Sequence, residues 1–161
     1  MRTLAVIALG VVGVLAGTLV AAALVDEDIS AANAPQRAAL SARLTPAELT
    51  HDVAGIRDGT RGTFSANIWP YGEDLVVTFS LSTRRLSGPA VKAHIHTGAP
   101  HRTGPLLLTL CDSHRCNVSR KSHTGLPAGL LRTMRLLGAY VDVHTKRNPR
   151  GELRGQIEIE P

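Results

Sequence analysis

Residues 74–82 carry Leu75, Val77, Phe79 and Leu81 at every second position, and this alternation restricts the fold more than any other feature of the chain. A period of two sends successive side chains to opposite faces, so the segment reads as a strand buried on one face only. The same pattern recurs elsewhere. Residues 63–69 align Phe64, Ala66 and Ile68, residues 90–97 place Val91, Ala93 and Ile95 inward, and residues 139–145 do the same with Val141 and Val143. Pro70-Tyr71-Gly72, Ser87-Gly88-Pro89, a loop containing Gly98, Pro100 and Gly104, and Asn148-Pro149-Arg150-Gly151 separate these runs as turns. Two more strands are expected at residues 105–110 and 152–159. Six or seven short strands punctuated in this way predict an all-β sandwich or barrel, not a parallel α/β sheet. One helix is expected over residues 127–138, where Leu130, Leu131, Met134 and Leu137 fall at helical spacing and Gly138 suits a C-terminal cap. The chain has no P-loop, no Rossmann glycine pattern and no G-x-S-x-G elbow.

Hydrophobic residues make up 43% of the 161 residues, but they are unevenly spread. Residues 4–25 contain no charge, and at about 1.5 Å per residue they reach roughly 33 Å, enough to cross a bilayer core of about 30 Å. Arg2 precedes this run, and Asp26, Glu27 and Asp28 follow it. The basic end is therefore expected in the cytoplasm and the body outside. Residues 1–25 are either a signal peptide, with Ala21-Ala22-Ala23 as an A-x-A cleavage site, or a retained single-pass anchor. No Cys follows the run, which excludes a lipoprotein anchor. Residues 26–47 are rich in Ala and small polar residues and read as a linker, with a short helix conceivable at residues 36–44. The domain is then expected to span residues 48–161.

Cys111 and Cys116 are the only cysteines. In an oxidising compartment, two closely spaced cysteines read as a disulfide that pins a turn. The alternatives are free thiols or a metal site with His114 and His123. The net charge is +5, with residues 101–154 strongly basic. Basic patches favour anionic lipid, acidic polymers or nucleic acid. Nucleic-acid binding is not expected, because only five aromatics occur and no finger, Arg/Lys helix or RNA-binding signature is present.

In Lys92-Ala93-His94-Ile95-His96 the two histidines are two residues apart, so both project from the strand face opposite Ala93 and Ile95. Tyr140, Asp142 and His144 likewise share the face opposite Val141 and Val143. If the two strands are neighbours, His94, His96 and His144 converge as a three-histidine site for copper or zinc. Asp142 would then act as an outer acceptor that orients an imidazole. The alternative is a set of hydrogen-bonded surface histidines. His51, His101, His114 and His123 fall outside these strands and are given no ligand role in this site. Glu152 and Arg154 share a strand face and are expected to pair with Arg150 or Asp142. Lys146, Arg147, Arg150 and Arg154 form either a cationic lip beside His144 or solvated turn residues.

The segments AHIHTGA…GPLLLTL and GAYVDVHTKRNPRGELRGQI resemble the CHRD domain, named after chordin and found also in many bacterial exported proteins. The resemblance covers about residues 48–159 and is poor in the middle, including residues 111–122, so the cysteine loop reads as an insertion. It implies an immunoglobulin-like antiparallel β-sandwich, related in architecture to copper/zinc superoxide dismutase, with one short helix and a preceding hydrophobic helix. His94-Ile95-His96 is similar to the dismutase copper strand. The other dismutase ligands, including a bridging His and a zinc Asp, cannot be matched residue by residue. The resemblance implies no settled activity; in chordin such domains belong to an extracellular protein that binds signalling ligands. The chain is therefore expected to be an exported or membrane-anchored binding or structural module without catalysis, its partner an extracellular protein or cell-envelope ligand. A copper- or zinc-binding protein with redox activity is the second expectation, and a basic surface that docks on anionic lipid or wall polymer is the third.

Overall fold

In a computed structural model, which describes residues 37–112 and 116–160, the alternating segments pair into two antiparallel sheets. In chain order the strands are β1 (Ala38–Leu44), β2 (Arg61–Tyr71), β3 (Asp74–Arg84), β4 (Ala90–Thr97), β5 (Leu106–Asp112), β6 (Val118–Leu126), β7 (Ala139–Thr145), β8 (Leu153–Gln156) and β9 (Glu158–Glu160). A 3₁₀ turn, Pro46–Glu48, follows β1, and a helix, α1 (Leu130–Leu137), precedes β7. One sheet has the order β6-β3-β2-β1-β9, and the other β5-β4-β7-β8. The expected β-sandwich with one short helix is what forms.

The core lies between the sheets. Phe64, Ala66 and Ile68 of β2 and Leu75, Val77, Phe79 and Leu81 of β3 meet Ala93, Ile95, Val141, Val143 and Leu153 from the opposing sheet. Each large side chain removed from water in this way stabilises the fold by about 1.5–3 kcal/mol, before the entropy of ordering it is counted.

Several expectations need correction. Residues 38–44, assigned to a linker with a conceivable helix, are β1, an interior strand paired with β2 along its whole length and with β9. Ala38, Leu40, Ala42 and Leu44 are all buried, so the domain begins well before residue 48. β6 (Val118–Leu126), an edge strand, is not among the expected strands. The single strand expected over residues 152–159 is two: at Ile157 the chain leaves one sheet and enters the other. In β4, a register irregularity between Ala90 and Lys92 turns Ala90 into the core, while Val91 is half-buried. In α1, Leu130, Leu131 and Met134 are buried, but Leu137 is 56% exposed.

Other expectations hold. Gly138 ends α1 at φ 72°, and Gly151 takes φ 124° in its turn. Cys111, at the end of β5, is bonded to Cys116, just before β6, so the disulfide joins the two sheets. Among the described residues no helix is long and apolar enough to cross a membrane. The expected leader at residues 1–25 and His114 lie outside the described residues.

Candidate metal centre

The register of β4 on β7 builds the site. His94 faces Asp142, His96 faces Tyr140 and Lys92 faces His144 across the pair. Directly opposed residues are about 4.5–5.5 Å apart at Cβ, and diagonal ones are still within reach of long side chains. His94, His96, Asp142 and His144 therefore converge on the sheet face turned away from the core. Asp142 and His144 are buried there, and both histidines of β4 are half-buried.

The side-chain geometry is tight. His144 Nε2 is 2.9 Å from Asp142 Oδ1 and 3.2 Å from His94 Nδ1. His94 Nδ1 is 3.4 Å from the same oxygen, and His96 Nε2 is 3.3 Å from Asp142 Oδ2. The ligand atoms of His94, His96 and Asp142 all lie within 4.8 Å of one another. His144 joins through His94 and Asp142. Two donors each about 2.0–2.1 Å from a tetrahedral metal are separated by roughly 3.3 Å, which is the spacing seen here.

Proton placement makes the arrangement informative. His144 Nδ1 lies 3.0 Å from the carbonyl of Pro149, and His96 Nδ1 lies 3.1 Å from that of Gly104. A carbonyl only accepts, so in both rings the Nδ1 hydrogen is committed to the backbone. In the neutral rings Nε2 then presents a lone pair to a carboxylate, acceptor against acceptor. A cation relieves this conflict, either a proton on the imidazole or a metal among the nitrogens and oxygens. Carbonyls that fix the tautomer from behind are a usual accompaniment of metal-binding imidazoles. His96 Nε2, although at ion-pair distance from Asp142, is buried with no hydrogen-bond partner.

Burial pushes the Asp142 carboxyl up, but the imidazoles of His144, His94 and His96 that face it outweigh burial and hold the group far below the usual carboxylate range. Asp142 beside it raises the His96 imidazole above its ordinary value, against the opposing effect of burial. The centre thus has one firm negative charge surrounded by three imidazoles.

Stacking and hydrogen bonds frame the centre. His96 stacks on Tyr140 with centroids 5.2 Å apart, and the Arg154 guanidinium carbon lies 3.6 Å from the Tyr140 centroid. The Gly104 amide donates to Tyr140 Oη at 3.3 Å. An ideal Cβ at Gly104 would stand 1.8 Å from the carbonyl oxygen of Thr97, so only glycine lets this loop bring its carbonyl to His96.

All three expected histidines are brought to one face. Asp142, expected as an outer acceptor, lies among the rings with its carboxylate facing each of them. Its position between two inward valines was the signal for its face, but not for this role. His51 bonds the Gly151 carbonyl at 3.2 Å, and His123 stacks on Phe79 in the core wall. The disulfide removes Cys111 and Cys116 as ligands. Among the described residues Glu152 pairs with neither Arg150 nor another cation; it is wholly buried and accepts hydrogen bonds from Ser87, Thr145 and Asn148. Of the expected cationic lip, Lys146, Arg147 and Arg150 are exposed, whereas Arg154 is buried.

The family model of the CHRD domain matches residues 30–157, a span that includes β1, both histidine strands and the turn after β7. The chain belongs to the CHRD domain family. Membership makes it a binding or structural module in kind. No curated protein and no solved structure matches the chain significantly. The start of the CHRD match at residue 30 agrees with the place of β1 inside the sandwich.

Proposed function

We propose that this CHRD domain is an exported binding module whose binding chemistry is capture of one divalent transition metal, zinc or copper. His94, His96, Asp142 and His144 would hold it. The observation that carries this reading is the acceptor conflict at Asp142: two imidazoles tied through Nδ1 to carbonyls turn their other nitrogens on one carboxylate. Imidazole and carboxylate donors suit zinc and copper(II), and their spacing suits a single ion. Export is supported by the uncharged run at residues 4–25 with its basic leading end, and by the disulfide.

Calorimetric titration of the purified, chelator-treated full chain with Zn(II) and Cu(II) tests the reading. The expected result is one ion per chain, with affinity lowered at least about 10–100-fold by His96→Ala or Asp142→Asn. Sub-stoichiometric uptake, or an affinity that neither substitution changes, would overturn it.

A further inference from the structure

Next to the histidine centre a cleft of about 240 Å³ is walled by Thr50, Thr103, Tyr140, Asp142, Arg150 and Arg154, among others. Arg154 is the unusual member. It is 2% exposed, and no carboxylate of the described residues forms an ion pair with it. Its Nη2 is committed to the carbonyls of Ala99 at 3.1 Å and Arg102 at 2.8 Å, its plane to the Tyr140 ring, and its Nε is buried without a hydrogen-bond partner. Nη1 makes no hydrogen bond to any of the described residues, and Arg154 lines the cleft.

A guanidinium cannot shed its proton, and buried charges are ordinarily matched by an opposite charge. The residue across the ladder from Arg154 is Asp142, which has turned its carboxylate to the three imidazoles instead. Arg150 adds a second, exposed cation on the rim, and the hydroxyls of Thr50 and Thr103 add donors. Asp142 is the one acid in the lining, so the wall offers a buried cation, an exposed cation and neutral donors around a small volume.

We infer that this cleft binds a small oxyanion, a carboxylate or a phosphate, through Arg154 and Arg150. The inference goes beyond the metal reading and does not require it, because the unmatched charge on Arg154 exists whether or not a metal is held nearby.

The test titrates the chelator-treated full chain separately with inorganic phosphate and with acetate, by calorimetry and by NMR of the arginine Nε–H signals. Saturable binding of one anion per chain is expected, with the Arg154 signal moving and the affinity falling at least 10-fold in Arg150→Ala, a surface substitution outside the histidine centre. Phosphate alone or acetate alone assigns the source of the oxyanion. No saturable binding of either, or binding unaffected by both Arg150→Ala and Arg154→Lys, would overturn the site. Repeating the titration on His96→Ala separates the two readings: anion affinity retained with zinc uptake lost leaves this inference standing, whereas zinc uptake without any anion binding leaves only the metal reading.

Discussion

Glu152 shows how much a single buried side chain can hold in place. Both carboxylate oxygens are occupied: the amide and hydroxyl of Ser87, the hydroxyl of Thr145 at 2.6 Å and the amide of Asn148 at 2.9 Å all donate to it. Asn148 also clasps the backbone of Ala54 in both directions. Three separate loops are therefore tied at one carboxylate. Burial pushes the Glu152 carboxyl up, but these donors overcome it and hold the group below its ordinary value. A carboxylate depressed in the folded state contributes stability that is fully present above its unfolded pKa of about 4.3 and is lost as pH falls through the folded value. Glu152→Gln replaces one acceptor by a donor facing donors, and is expected to cost about 1–3 kcal/mol at pH 7 in urea unfolding. The gap between the two proteins should shrink as pH drops below about 4, and a gap independent of pH would contradict this account.

At the scale of elements, β1 makes the most exposed claim, because its residues read as a linker. Leu44 is completely buried, and Leu44→Ala is expected to destabilise the domain by about 2–5 kcal/mol, whereas Leu136→Ala, at a position 72% exposed on α1, should change stability by less than about 0.5 kcal/mol. Comparison of the two by denaturant unfolding checks the assignment; equal effects would return residues 38–44 to a linker. The strands that were legible, β2, β3, β4 and β7, advertise themselves with Val, Ile, Leu and Phe at period two. In β1 half of the inward positions are alanines, Ala38 and Ala42, which favour helix as readily as strand and weaken the contrast. β6 is a polar edge strand, so no apolar face marks it. β8 and β9 form one extended segment locally, and only the partners β7 and β1 decide that it belongs to two sheets. The centre divides in the same way. Strand periodicity alone places His94, His96, Asp142 and His144 on outward faces. Their convergence depends on β4–β7 register, and the carbonyls of Gly104 and Pro149 come from loops whose path no local pattern records.

On the scale of the whole molecule, the Cys111–Cys116 bond fastens the end of β5 in one sheet to the entry of β6 in the other. Protein recovered from outside the cytoplasm is expected to contain no free thiol before or after unfolding; two thiols would speak against both the bond and export. Cys111→Ala with Cys116→Ala should cost about 2 kcal/mol for so short a loop while leaving zinc affinity unchanged, since neither sulfur faces the centre. A different consequence follows from the pairing of β1 with β9. Ala39 stands opposite Glu160, so the strand that opens the sandwich and the strand that closes it meet at the same end, about one strand spacing apart. Topologically, the domain is a loop that nearly shuts on itself. A host polypeptide interrupted by it would leave where it had entered, and the order of its strands is open to rotation: a few residues linking 160 to 37, with new ends cut at the Gly72–Glu73 hairpin, keep every ladder and both strands of the histidine site.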